Sequence, residues 1–195
     1  IFIRGTLQAD TGLHIGAGGS SLDPSGTDSP AIRDAAGRPF IPGSSFKGAL
    51  RAHLESLLRG LDKPNLSACD PLVDDERCIP NDVIRAWKEG EDKAATDDEL
   101  TSRILYGYTT RQGEKLPGLC DVCKLFGSPW LASRVMIKDL FIIEDSWAGR
   151  VELRDGVGID RDTETARQGG KYDFEVIPAT SSFNAEIVVE NADDV

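Results

Sequence analysis

Residues 40 to 51, Phe-Ile-Pro-Gly-Ser-Ser-Phe-Lys-Gly-Ala-Leu-Arg, constrain the fold more than any other stretch of the chain. Pro42 and Gly43 break a preceding strand, and Ser44 or Ser45 is the residue type that caps a helix. The apolar spacing that follows predicts a helix over 44–60, with Phe46, Leu50, Leu54 and Leu57 or Leu58 facing inward. Lys47 and Arg51 then fall one turn apart on a shared face. A helix start of this kind, with unpaired N–H groups and its positive dipole end outward, suits a phosphate. An ordinary capped amphipathic helix would read the same way, and no Gly-Lys-Ser/Thr closes the pattern into a Walker loop.

Around this helix the periodicity predicts an α+β fold of the ferredoxin-like (RRM-like) kind. Residues 1–8 alternate as a first strand, Ser133 to Ile143 as a second and Ser182 to Glu190 as a third. Strand, helix, strand, strand is three strands and one helix of a split βαβ unit, lacking its last helix and strand. Another polypeptide, or more of a longer chain, would then complete the sheet. Arg150 to Pro178 should form a protruding β-hairpin whose tip is rich in Gly, Thr and charge.

Four cysteines punctuate the middle of the chain. Cys120-Asp-Val-Cys123 is a tight pair, and Cys69 with Cys78 a looser one. Two intervening residues let a pair of thiolates face a single tetrahedral ion, and a second pair completes four ligands, so a structural zinc is expected. His53 could replace Cys69 or Cys78. Redox use of Cys-x-x-Cys is the rival, but the pair lacks a strand-to-helix setting. Residues 61–119 are polar and acidic, with helical periodicity only at Val83 to Trp87 and Leu100 to Tyr108. A metal clip would staple such a segment, read here as an insertion over 61–123 within a single domain.

The chain is acidic, with a formal net charge of −11, which argues at first against a nucleic-acid partner. The distribution softens this. Residues 1–68 hold 7 Lys/Arg against 6 Asp/Glu, and 116–138 hold 3 against 1, while the acid concentrates in 69–115 and 139–195. No apolar run approaches a membrane span and no secretory signal opens the chain, so a cytoplasmic location is expected.

A second glycine-rich stretch, Thr11-Gly-Leu-His-Ile-Gly-Ala-Gly-Gly19, leads into Thr27-Asp-Ser-Pro-Ala-Ile-Arg-Asp34. With Ile41-Pro-Gly-Ser-Ser-Phe-Lys-Gly48 and Arg51, these blocks stand in the order seen in the RAMP (repeat-associated mysterious protein) superfamily. A later block, Gly156-Val-Gly-Ile-Asp-Arg-Asp-Thr-Glu-Thr-Ala166 running to Tyr172-Asp-Phe-Glu-Val-Ile-Pro178, is similar too. The chain therefore resembles the guide-RNA-binding backbone subunits of type III CRISPR effectors. One unit of a single-chain effector of the type III-E kind is a subordinate reading of the same resemblance.

That resemblance implies a target-cleaving, metal-dependent endoribonuclease with CRISPR guide RNA, complementary target RNA and other RAMP units as partners. It implies Asp28 as the catalytic acidic residue, with Mg2+ or another divalent ion, and Asp34 as a brace; Asp23 is a less favoured candidate. The guide's sugar-phosphate track would fall to His14, Gly16, Gly18, Gly19, Arg33, Ser44, Ser45, Lys47 and Arg51. The hairpin at 150–178 would be a thumb that wedges into the guide–target duplex, with Arg161, Arg167 and Lys171 at phosphates. An Asx turn accounts equally for Asp28, and turn formation for Asp160 and Asp162. A purely structural guide-binding unit and a guide-precursor-processing ribonuclease relying on His14 remain alternatives. A zinc-stabilised interaction domain without RNA is a fourth.

Overall fold

The computed structural model describes residues 1–18, 26–61, 66–73, 76–90, 93–110 and 113–191. Gly19 and Asp23 lie outside them. Along the chain come β1 (Phe2–Gln8), β2 (Phe40–Ile41), α1 (Gly43–Leu61), α2 (Asn81–Glu89), α3 (Asp97–Tyr106), β3 (Tyr108–Thr109), β4 (Lys115–Leu116) and α4 (Asp121–Phe126). There follow β5 (Val135–Ile137), β6 (Leu140–Phe141), a 3₁₀ turn at Glu144–Ser146, β7 (Glu152–Ile159), β8 (Ala166–Val176) and β9 (Ser182–Val189). The protein is a mixed α/β chain with small antiparallel sheets, in the orders β1–β9–β5, β2–β6, β3–β4 and β7–β8. No helix among the described residues is long and apolar enough to cross a membrane.

Two compact units divide the chain. One comprises Phe2–Phe46 and Ile137–Ile187, the other Ile1, Lys47–Met136 and Val188–Val195.

The first unit is organised around Ile41, Leu140, Ile142, Ile177 and Phe183, with Leu7, Leu13, Ile15 and Phe46 packed against them. Strand alternation puts Phe183 and Ala185 of β9 on this core, and Glu186 on the opposite face, where it pairs with Arg4 and Lys138. The single strand expected over Ser133 to Ile143 is a correction: two short strands, β5 and β6, occupy it and belong to different sheets. The chain breaks at Lys138–Asp139 because Asp139 turns to the start of α1, where its Oδ1 accepts the Gly43 N–H at 2.8 Å. Close approach makes Gly43 obligatory there, since a methyl group at that position would run into the Ile137 carbonyl.

The same contact corrects the helix start. α1 begins at Gly43, and its first backbone bond runs from Phe46 N–H to the Pro42 carbonyl. Ser44 and Ser45 therefore sit exposed in the first turn, and the leading N–H is satisfied by Asp139 from 96 residues away.

The second unit has a core of its own, which the polar composition of residues 61–119 hid. Ile79, Ile84, Trp87, Ile104, Leu119, Val122 and Phe126 are all buried, and the Trp87 ring meets Tyr108 edge-on at 6.4 Å. Thr96 caps α3: its hydroxyl accepts the Glu99 N–H, while Glu99 Oε2 accepts the Ala95 N–H. This is close to a capping box. The helix ends at Gly107, whose φ of 84° suits glycine. On α1 the inward residue of the last turns is Leu58 rather than the exposed Leu57, and Glu55 is buried. The unit takes in most of α1 and the chain beyond the second cysteine pair as well as residues 61–123.

Candidate functional site

In the first unit, three segments distant in sequence converge. The main chain of Leu13 pairs with Ile177, that of Gly16 with Ala31, and that of Ser29 with Phe174 in parallel fashion. The stretch from Asp28 to Arg33 is thereby laid between residues 13–17 and strand β8. Gly12 permits the approach, because a methyl group there would stand 2.6 Å from Val176 Cγ1.

Side chains of β8 hold this loop on both flanks. Asp28 N–H donates to Asp173 Oδ1 at 2.7 Å, and Asp173 N–H donates back to Asp28 Oδ2 at 3.1 Å. Two residues on, Glu175 Oε2 accepts both the Ala31 N–H at 2.9 Å and the Arg33 guanidinium at 2.7 Å. Asp28 itself is exposed, and among the described residues no donor engages its second carboxylate oxygen.

His14 is committed at both nitrogens. Nδ1 lies 2.6 Å from the Glu175 carbonyl, which has no proton to give, so Nδ1 carries the hydrogen. In the neutral ring Nε2 is then an acceptor, and Ser29 Oγ is 3.2 Å away as its donor. The Phe174 ring packs edge-on against the imidazole at 5.5 Å. Gly16 lies beside this pair, and Gly18 takes a left-handed φ of 71°. Asp34 closes the loop: its Oδ1 accepts the Ala36 and Arg38 N–H groups, its Oδ2 the Arg38 side chain. The Arg38 main-chain N–H, ahead of the other bonds and against a counteracting burial effect, holds the Asp34 carboxyl below its ordinary value.

β7 and β8 form a hairpin in register from Glu152↔Val176 to Val157↔Lys171, with an irregularity before Ile159↔Ala166. Arg161 stands in its tip, Arg167 and Lys171 on β8, and all three are exposed. Asp160 Oδ1 accepts the N–H groups of Asp162 and Thr163, so this acid makes the turn.

In the second unit, Lys47 Nζ donates to Ser133 Oγ at 2.6 Å, and burial, with the charge of Arg51, lowers its pKa. Arg51 faces inward: it donates to Glu55 Oε1 at 2.8 Å, to the Gly127 carbonyl at 2.9 Å and to Cys123 Sγ at 3.4 Å. Burial works to lower its pKa, but the bond to Glu55 and the charge of Cys123 outweigh it and raise the value.

The four cysteines come together. Their Sγ atoms all lie within 4.8 Å of one another, with Cys69 and Cys123 3.6 Å apart and no disulfide between any two. Metal–sulfur bonds of about 2.3 Å in a tetrahedron give sulfur–sulfur edges of about 3.8 Å, so the donor set fits a metal such as zinc. Local structure explains the tight pair: Cys120 caps α4, and its sulfur accepts the Cys123 N–H at 3.4 Å. Hydrogen bonds from Cys123 and Cys78 hold the Cys120 thiol far below its usual range. The Cys120 contact in turn pushes Cys78 up to about 12. His53 is exposed on α1 and takes no part in the cluster.

Sequence reasoning missed Asp139, Asp173, Glu175 and Glu55. Asp139, Asp173 and Glu175 act across long sequence separations, where no spacing rule applies, whereas Glu55 stands one helical turn from Arg51, a spacing the sequence offered. For the acids of β8, the spacing Asp173-x-Glu175, two same-face acids on a strand, was the available signal.

The profile of the RAMP superfamily matches residues 6–195. The chain is 49% identical over 188 residues to the CRISPR system Cms endoribonuclease Csm3 of Enterococcus italicus, covering 94% of this chain and 73% of that protein. It is 28% identical over 199 residues to the protein of the same name from Methanocaldococcus jannaschii, covering 96% of this chain. The chain spans 62% of the length of that relative. A stretch of 54 residues is 50% identical to the Methanothermobacter thermautotrophicus protein of that name, over 27% of this chain and 22% of the relative. With the profile matched along almost its whole length, the chain belongs to the RAMP superfamily.

Proposed function

We propose that this chain is a guide-RNA-binding backbone unit of a type III CRISPR effector, cutting guide-paired target RNA with Asp28 as its catalytic acidic residue. One observation carries the reading: Asp28 is exposed on a loop bonded along the base of the β7–β8 hairpin. The names of the relatives, endoribonucleases of a CRISPR system, support it.

The chemistry asks little of the protein beyond position. RNA brings its own nucleophile. If the hairpin acts as a thumb and unstacks one target nucleotide, its 2′-oxygen comes in line with the adjacent phosphorus. The O2′–P bond forms, the P–O5′ bond breaks, and the departing 5′-oxygen takes a proton from water; the Asp28 carboxylate would take the 2′ proton or hold a divalent ion such as Mg2+. Arg161, Arg167 and Lys171 would meet phosphates.

Ser44 and Ser45 at the exposed start of α1, with Lys47, Arg33, His14, Gly16, Gly18 and Gly19, would follow the guide's backbone. Base pairing then supplies sequence. Arg51 is spent on Glu55, Gly127 and Cys123, and we assign it to the cysteine cluster. That cluster would hold a structural zinc that staples residues 61–123. The order β1–β9–β5 supports a ferredoxin-like split βαβ core whose closing helix and strand come from elsewhere in cis or from a partner. Such a unit would work in the cytoplasm beside other RAMP units.

A guide-processing role would rest instead on His14, whose Nε2 lies 3.2 Å from Ser29 Oγ. The strand that is cut separates the two. Attack by the 2′-hydroxyl predicts target fragments ending in 2′,3′-cyclic phosphate and 5′-hydroxyl; 3′-hydroxyl and 5′-phosphate ends would overturn it. Cuts confined to precursor guide would favour processing.

A further inference from the structure

We infer that Asp173 is a positioning residue for Asp28, acting through the exchange of main-chain N–H and carboxylate bonds between the two. The inference rests on the proposed role of Asp28.

In its own hairpin Asp173 is a poor choice. It stands directly opposite Asp155 across the β7–β8 ladder, and like charges in that relation weaken a strand pair. Its contribution lies on the other edge of β8. There the Ser29 N–H bonds to the Asp173 carbonyl at 3.2 Å, and the Glu175 N–H bonds to the Ser29 carbonyl at 3.0 Å. These two bonds fix the loop along β8 but leave the direction of the Asp28 side chain undetermined. The reciprocal pair determines it. Asp173 Oδ1 fixes the Asp28 amide, and the Asp173 N–H fixes Asp28 Oδ2, so both ends of that residue are held. Glu175 plays a parallel part for Ala31 and Arg33.

A consequence follows for the hairpin. β8 is one strand from Ala166 to Val176, so its exposed end and the segment that grips Asp28 are parts of a single element. Seating of the paired target against the hairpin would then bear on the strand that holds Asp28.

The test uses the guide-loaded assembly with end-labelled target under single-turnover conditions. Asp173→Glu keeps the charge but displaces the accepting oxygens. It should slow cleavage about tenfold to a hundredfold, the effect of misplacing a reacting group by an ångström or so, with target affinity unchanged. Asp173→Ala should lose as much, and Asp173→Asn, whose Oδ1 still accepts the Asp28 N–H, should recover most of the rate. Wild-type cleavage by Asp173→Glu, or a loss confined to target affinity, would overturn the inference. So would failure of Asn to do better than Ala. Asp28→Ala is run alongside: if it cuts normally, the catalytic reading itself fails, whereas a dead Asp28→Ala beside a normal Asp173→Glu removes only this inference.

Discussion

Arg51 Nη2 lies 3.4 Å from Cys123 Sγ while its Nε donates to Glu55 at 2.8 Å, so a single guanidinium ties helix α1 to the cysteine cluster. The Glu55 carboxylate is buried, and it depends on that cation. Arg51→Ala should therefore destabilise the protein by about 2 kcal/mol in denaturant unfolding, the scale of stranding one partner of a part-buried charged bond. An unchanged unfolding midpoint with weakened guide binding would return Arg51 to the RNA track.

The cluster should hold one zinc per chain. Chelation, or Cys120→Ser, should remove the metal by elemental analysis and lower the thermal midpoint. Helical circular dichroism should persist in part, because Trp87, Ile84 and Ile104 form a core that no metal ligand supplies. Metal-free protein with an unaltered melt would contradict this.

Much of this was legible beforehand, and the failures are instructive. Pro42-Gly43 marks the start of α1 because proline and glycine act locally, and the cysteines announce themselves by spacing. Asp139 could not be read that way. It caps a helix 96 residues upstream, and the same turn splits what alternation alone reads as one strand into β5 and β6. Arg51 marks another gap, since helical spacing put it on a face with Lys47 but could not say that its guanidinium bonds Glu55, Gly127 and Cys123. Apart from the family resemblance, Asp28 was legible only as a short turn. Its partner Asp173 lies 145 residues away, and only the fold brings the two together.

Capping gives a direct contrast. Asp139→Ala should cost about 1–2 kcal/mol by leaving the Gly43 N–H unsatisfied. Ser44→Ala and Ser45→Ala, exposed in the first turn, should each stay within about 0.5 kcal/mol. Urea midpoints of the three variants check this, and a serine variant as costly as Asp139→Ala would refute the assignment.

Asp34 supplies a pH signature. Its carboxyl is held below its ordinary value, first by the Arg38 N–H. A group depressed in the fold stabilises it above the unfolded-state pKa, and that stability disappears as pH falls through the lower folded value. The difference in thermal midpoint between wild type and Asp34→Asn should thus hold steady at neutral pH. It should begin to close near the ordinary value of 3.8 and vanish in stronger acid. A difference that persists undiminished in strong acid would mean that charge at Asp34 is not what matters.

The central claim is tested most directly by cleavage of end-labelled complementary RNA with the guide-loaded assembly, wild type beside Asp28→Ala, each with magnesium and with chelator. The account predicts cuts opposite this unit that need the divalent ion and vanish in Asp28→Ala, while target binding is unchanged. Cleavage by Asp28→Ala at the wild-type rate would contradict it.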